Sequence, residues 1–295
     1  MSVHFVVPYY LDARFLIELV DSVRKQTSDQ WRLTIVDDRY PDTTAEEYVR
    51  GLADPRIEYV RNERNLGATA NVSQCMTMGK EEYLVVMGAD DALEPRYVEV
   101  VLDAFKRYPN AVMVHPGVIV VDGDSRPTDS LADKIKRVAA RSAWKELELD
   151  GPTAAQSLMN GNWLYVPAMA FRNDAVPRIK RLGEFGSIAD LAWSIDMLIG
   201  GGTLALDPTP VFRYRRHASS HSSIGAHSVR RFEEEQRYYA AAAEQLSEVG
   251  WHRAARAARL HLLCRGHITK SAIDAAVARD LKLAKSLAGR AFKRV

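Results

Sequence analysis

Two adjacent carboxylates, Asp90 and Asp91, follow an apolar run, Tyr83-Leu84-Val85-Val86-Met87, after the short link Gly88-Ala89. The run is too short for a helix and is rich in residues that suit a strand. Beyond it, Glu94-Pro95 and the apolar residues Tyr97, Val98, Val101, Leu102 and Phe105 predict a helix. The pair therefore stands at the carboxyl end of a strand. In open α/β sheets the ligand crevice lies outside such ends, where carboxylate oxygens can hold a divalent cation against a phosphate or diphosphate. The competing reading is that one aspartate caps the helix and the other is solvated, and the pair taken alone leaves both open.

The elements that must position the pair alternate along the first 125 residues. Strands are predicted at Val3 to Tyr9, Arg32 to Val36, Arg56 to Val60 and from Tyr83, with helices near Ala13 to Gln26, Thr44 to Leu52, Ala68 to Met78 and Arg96 to Tyr108. A long apolar run from Ala111 to Val114 continues through Val118 to Val121. This order argues for βαβ units and a mainly parallel sheet, which puts Asp37-Asp38, at the end of the second strand, on the same edge as Asp90-Asp91. Residues 122–150 read as a polar excursion from the sheet. A helix near Thr153 to Met159, a strand through Trp163 to Val166 and a short element from Met169 to Arg172 follow. A helix from Asp190 to Leu198 is stopped by Gly200-Gly201-Gly202, and strands are expected at Leu204 to Leu206 and Val211 to Tyr214. The Ser- and His-rich stretch between His217 and His227 has the composition of a lid, and the chain from Val229 is helical in pattern.

Composition bounds the rest. The chain has 295 residues, 47% hydrophobic and 26% charged, which is ordinary for a soluble protein of one large or two modest domains. Cys75 and Cys264 lie far apart with no CxxC partner, so neither a disulfide framework nor a thiolate zinc site is expected. No window reaches the roughly 18 apolar residues of a membrane span. The expected address is the cytoplasm. A net charge of +2 hides an asymmetry, because residues 251–295 carry eleven Lys or Arg against Asp274 and Asp280, a local +9. Such a helical tail can lie on an anionic membrane surface, at the inner face of the membrane, or can be the solvated side of helices packed on the domain.

Five spaced motifs resemble family 2 of the inverting glycosyltransferases, which have the GT-A fold. They are Val6-Val7-Pro8-Tyr9-Tyr10 with its following helix; Trp31 through Asp38 with Asp42-Thr43; Asn65-Leu66-Gly67 with Asn71; Tyr83 through Asp91; and Ala189-Asp190-Leu191-Ala192-Trp193. The resemblance covers roughly residues 3–220. It implies an α/β, Rossmann-like, mainly parallel mixed sheet flanked by helices, with a helical C-terminal extension. Residues 1–125 would form the nucleotide-sugar-binding half, 126–227 the acceptor-binding and catalytic half, and 228–295 the basic extension.

The chemistry implied is transfer of a sugar, a hexose on this reading, from a nucleoside diphosphate donor to an acceptor hydroxyl with inversion. The acceptor class stays open among glycan, lipid-linked and small-molecule hydroxyls, and no nucleic acid partner is expected. A divalent cation, Mn2+ or Mg2+, would neutralise the diphosphate, with Asp90, Asp91 and His217 as ligands. Pro8, Tyr9, Tyr10, Asp12, Asp38, Asn65, Asn71, Ala89 and Asp90 would bind the nucleotide. Asp38 would accept from a pyrimidine ring N–H, which favours uracil or thymine. Asp190 would be the general base, and Arg213, Arg215 or Arg216 would add phosphate contacts. Three positions depart from the family pattern: Leu11 replaces an Asn, Gly88 an Asp, and Ala189 a Glu. Those losses leave a non-catalytic binding or scaffolding protein of the same fold as an alternative. A sugar-nucleotide pyrophosphorylase is a further rival, disfavoured because the first loop, Pro8 to Asp12, has no glycine, and a dinucleotide oxidoreductase is excluded on the same ground. The helices after Val229 offer a homodimer surface.

Overall fold

The computed structural model describes residues 1–216 and 229–291. The first half runs β1 (Val3–Tyr9), α1 (Ala13–Arg24), β2 (Trp31–Asp37), α2 (Thr44–Gly51), β3 (Ile57–Arg61), α3 (Ala68–Met76), β4 (Tyr83–Val86), β5 (Ala92–Leu93), α4 (Tyr97–Arg107) and β6 (Ala111–Val121). Next come α5 (Leu131–Ala140), α6 (Ala143–Glu146), β7 (Glu148–Asp150), α7 (Gly151–Asn160), β8 (Ala170–Arg172), α8 (Ala189–Ile199) and β9 (Thr203–Arg215). The chain closes with α9 (Val229–Glu248), α10 (His252–Leu260), α11 (Leu262–Val277) and α12 (Leu281–Ala291).

Among the described residues the strands form one mixed sheet in the order β3-β2-β1-β4-β8-β6-β9-β5, with β7 also on β9. The half containing β1 to β4 is parallel, in a register that sets Tyr9 beside Asp37 and Asp37 beside Arg61. Their carboxyl ends therefore share an edge, as the βαβ pattern predicts. Successive strand residues point to opposite faces. Phe5, Val7, Leu33, Ile35, Tyr83 and Val85 enter one core, against α1 and α4. Val6, Val36, Leu84, Val86, Phe171 and Leu206 enter the other, against α3, α7, α8 and α9. With both faces covered, the strands read as continuous apolar runs.

Three expectations need correction. Trp163 to Val166 is not a strand, because its backbone is satisfied by side chains rather than by a neighbour. Leu164 N–H donates to Asn162 Oδ1, Tyr165 N–H to His115 Nε2, and Lys136 Nζ to the Leu164 carbonyl, before Pro167 turns the chain through a 3-10 segment. The segments at Leu204 and Val211 are one strand, β9, which passes through Asp207-Pro208-Thr209-Pro210 with shifts of register against β6. Prolines are tolerated there because an irregular ladder needs fewer N–H donors. The polar excursion of residues 122–150 contains α5, α6 and β7.

The basic extension packs on the domain through its first helices. Phe232, Tyr238, Tyr239 and Leu246 of α9 and Ala254, Ala255 and Ala258 of α10 belong to the same core as α7 and α8. Among the described residues no helix is long and apolar enough to cross a membrane.

The β6–β9 irregularity depends on Gly117. A Cβ there would lie 2.6 Å from the Pro208 carbonyl oxygen and 2.7 Å from that of Thr209, both backbone atoms that cannot swing aside. Gly117→Ala is expected to cost about 1–3 kcal/mol by overpacking. Urea denaturation of the variant beside wild type measures it, and equal midpoints would show that the bulge relaxes freely.

Candidate active site

The apolar strand β4 ends in a turn whose Asp91 N–H donates to the Gly88 carbonyl at 3.1 Å. A Cβ on residue 88 would lie 2.7 Å from Asp90 Oδ1 and 2.8 Å from Asp91 Oδ2, so both carboxylates bend over the glycine and face one point. Asp91 is 1% exposed and its Oδ1 accepts from the Arg215 backbone N–H at 2.9 Å. Burial, and then the charge of Asp90, push the Asp91 carboxyl well above its ordinary range, while Arg215 opposes them.

Arg215 ends β9 with its side chain 1% exposed. Its Nε donates to the Asp90 carbonyl at 2.6 Å, its Nη1 to Ser125 Oγ at 2.7 Å, and its Nη2 pairs with Glu18 of α1 at 2.7 Å. The next residue, Arg216, grips Asp133 of α5, with Nη2 2.7 Å from Oδ1 and Nε 3.0 Å from Oδ2. Asp133 also accepts from the Tyr165 hydroxyl at 2.7 Å and from Ser130 Oγ at 2.5 Å. Burial alone would raise the Asp133 carboxyl, but these hydrogen bonds and the Arg216 charge outweigh it and hold it at about 2.

One turn along α5, Lys136 Nζ donates to the Leu164 carbonyl at 2.5 Å and lies 4.3 Å from the centre of the Tyr165 ring. Burial lowers this ammonium to about 8, against the opposing pull of Asp190. The same loop carries Asn162, whose Nδ2 donates to Asp190 Oδ2 at 3.1 Å, while Asp190 Oδ1 accepts from the Leu191 N–H at 2.7 Å in the first turn of α8. A continuous chain of contacts thus runs from Asp90 and Asp91 through Arg215, Arg216, Asp133, Tyr165, Leu164 and Asn162 to Asp190. Ahead of α8, the backbone of Gly186 and Ser187 and the Ser187 hydroxyl donate to Glu234 of α9, the hydroxyl at 3.0 Å.

Of the expected nucleotide contacts, Pro8, Tyr10, Asn65 and Ala89 stand at the carboxyl edge. Tyr10 is half exposed, and its ring meets Tyr40 edge-on at 5.3 Å. Tyr9 is buried instead, edge-on to Tyr40 from the other side at 5.5 Å, its hydroxyl without a partner among the described residues. It packs in the core. Asn71 is also buried; its Nδ2 donates to the Val36 carbonyl at 3.0 Å and its Oδ1 accepts from Asn62, so it ties α3 to β2. Asp12 caps α1 by accepting from the Arg14 N–H at 2.9 Å. Asp38 is buried; Oδ1 accepts from Asn62 and the Leu66 N–H, and Oδ2 from the Gly67 N–H at 2.8 Å. Three bonds on a carboxylate leave one lone-pair direction, on Oδ2. All three arginines have carboxylate partners: Arg213 pairs with Glu94, and the other two are engaged as above. His217 and the expected lid lie outside the described residues.

Tyr40, Asp133, Lys136 and Glu234 were not singled out by sequence as site residues. For Asp133 the signal was present, as Ser130 and Asp133 stand at capping-box spacing, and the box forms. For the others, only the fold brings them to the site.

Residues 4–174, more than half of the chain, match the family described as Glycosyl transferase family 2. An uncharacterised glycosyltransferase of Methanocaldococcus jannaschii is 31% identical over 88 residues, which are 29% of this chain and 30% of that protein. The stretches matched in the curated relatives span between 14% and 44% of their lengths. Among solved structures, S. aureus TarS 1-349 in complex with UDP-GlcNAc superposes with a TM-score of 0.64 at 13% identity, over 97% of this chain and 90% of that one. The mannosyltransferase PcManGT of Pyrobaculum calidifontis, in complex with GDP-Man and Mn2+, superposes with a TM-score of 0.59 at 17% identity, over 98% and 79%. At such identities the likeness is one of fold.

The Asp133–Arg216 pair carries a pH signature. A carboxyl lowered on folding stabilises the folded state above its ordinary pKa of 3.8, and that contribution is lost as pH falls through about 2. Urea unfolding of wild type and Asp133→Asn is therefore expected to show a gap near neutral pH that narrows below about pH 4. A gap constant with pH would remove the ion pair as its source.

Proposed function

The chain belongs to glycosyl transferase family 2, and we propose that its carboxyl-edge cleft transfers a sugar from a nucleoside diphosphate donor to an acceptor hydroxyl with inversion. One observation carries the reading: the Asp90–Asp91 pair and Asp190, 99 residues apart at their nearest in sequence, are joined beside the sheet edge by one chain of hydrogen bonds that passes through the backbone at Arg215-Arg216 and Leu164-Tyr165. Helix caps have no need of such a connection.

The donor's base would lie against Pro8, Tyr10 and Tyr40, with its ring N–H aimed at the remaining lone pair of Asp38 Oδ2. Uracil and thymine offer that donor and cytosine does not, so UDP or dTDP sugars fit best. Asn65 and the backbone at Ala89 would flank the ribose and diphosphate. The carboxylates that bend over Gly88 suit a hard divalent cation, which takes one or two carboxylates and completes its shell with phosphate oxygens and water. Among the described residues no group of three His, Cys, Asp or Glu converges, as befits a site completed by its substrate. Asp90 and Asp91 would hold Mn2+ or Mg2+, which supplies charge neutralisation to the diphosphate on binding and on departure. Gly88 leaves the space that the family's aspartate would fill, so both remaining carboxylates can turn inward.

Asp190 would take the proton from the acceptor hydroxyl as it attacks opposite the leaving diphosphate. Asn162 and the Leu191 N–H fix its two oxygens, and Lys136 is hydrogen-bonded to the Leu164 carbonyl of the same loop. Tyr165 and Asp133 hold that loop from the other side.

Asp190→Asn is expected to lower transfer by about 10²- to 10⁴-fold, the usual worth of a general base, with UDP affinity nearly unchanged. Undiminished turnover in the variant would sink the assignment. Titration calorimetry of UDP with and without Mn2+ tests the other half of the site. Wild type should bind more tightly with the metal and Asp90→Ala should not respond to it; a metal response that survives in Asp90→Ala places the cation elsewhere.

A further inference from the structure

Helix α5 is amphipathic in the inverse sense. Leu131, Ile135 and Val138 recur at i, i+4 and i+7 and so form one ridge, yet they are 60%, 44% and 75% exposed. The opposite side of the helix carries Asp133, fully buried on Arg216 and Tyr165, and Lys136, bonded to the Leu164 carbonyl. A surface helix that only covers a core would present the reverse arrangement. Lys134 and Arg141, seven residues apart, flank the ridge on one side and form no ion pair among the described residues. The small residues Ala132 and Ala139 lie on the other flank, and Arg137, further toward the protein, is paired with Asp129 at 2.7 Å.

We infer that the outer ridge of α5 seats the domain on an anionic lipid bilayer, with Leu131, Ile135 and Val138 in the interface and Lys134 and Arg141 against the headgroups. A short helix with an apolar ridge and a basic flank is the form that lies in the plane of a membrane surface. A second copy of the chain fits less well. Ten residues of helix are about 15 Å long, and three side chains fall far short of the roughly 1,000 Å² that a stable protein interface needs. The inner face of the same helix anchors the loop that holds Asp190, so docking brings that carboxylate to the membrane side and selects an acceptor hydroxyl carried on a lipid headgroup. This last step rests on Asp190 being the base; the docking itself does not.

Co-sedimentation of the full chain with phosphatidylcholine vesicles, with and without phosphatidylglycerol, tests the inference. Wild type is expected to bind the anionic vesicles and to release at high salt. The triple variant Leu131→Ser, Ile135→Ser, Val138→Ser should lose about tenfold or more in partitioning, and Lys134→Glu with Arg141→Glu should lose the preference for phosphatidylglycerol. The pair Ile273→Ser, Val277→Ser, on the exposed side of α11, should bind as wild type does. No binding by wild type, binding undiminished in the triple variant, or loss confined to the α11 pair would overturn the proposal. So would a wild-type dimer that the triple variant converts to monomer, which would make the ridge an interface between copies. Donor hydrolysis without vesicles should be equal in wild type and the triple variant; its absence in both would count against the transferase reading and leave the docking result standing.

Discussion

A cation taken out of water must be surrounded by acceptors, and the geometry of this cleft follows from how the chain meets that demand at Arg215. Its partners come from separate segments: the Asp90 carbonyl in the turn after β4, Ser125 beyond β6, and Glu18 on α1. None of these is near another in sequence, and all are fixed once the guanidinium is satisfied. The backbone N–H of the same residue holds Asp91, so one position at the end of β9 aligns the carboxylates of β4 and stabilises the more deeply buried of them.

The two halves of the sheet divide the work. The parallel half presents loops from β1, β2 and β4 along one edge, the side on which open α/β sheets hold their ligands. The other half supplies the long β6–β9 pair, whose ends reach past that edge and carry Arg215 and Arg216 to the acidic turn. Arg216 then recruits α5, and α5 the loop before β8. Rigid strands thus position residues whose loops alone would leave them free.

The parallel half was legible in sequence because its strands are buried on both faces and its helices have regular apolar stripes; the edge shared by Asp37-Asp38 and Asp90-Asp91 came with it. The failures have local physical causes. Trp163 to Val166 has the composition of a strand, but its hydrogen bonds go to His115, Lys136 and Asn162, and no periodicity records a partner 28 or 50 residues away. For Tyr9 and Asn71 the sequence did not show that one side chain is buried in the core and the other bonds a carbonyl of β2, because a motif does not state a side chain's direction. The arginines at the end of β9 read as phosphate contacts in sequence, which does not record that their carboxylate partners, Glu18, Glu94 and Asp133, come from distant segments. The inverse face of α5 lay within a stretch read only as a polar excursion, although Leu131, Ile135 and Val138 stand at helical spacing.

The grip of Glu234 on Gly186 and Ser187 sets an order in time. The loop that starts α8 donates those hydrogen bonds to a residue 47 positions further along the chain. On the ribosome, where amino-terminal segments fold first, the parallel half of the sheet can form while the start of α8 still waits for α9 to emerge. A nascent chain halted before Glu234 would hold the acidic turn of β4 while the loop ahead of α8 still lacked its anchor, so that side of the edge is completed last, by the helices that looked like an appendix.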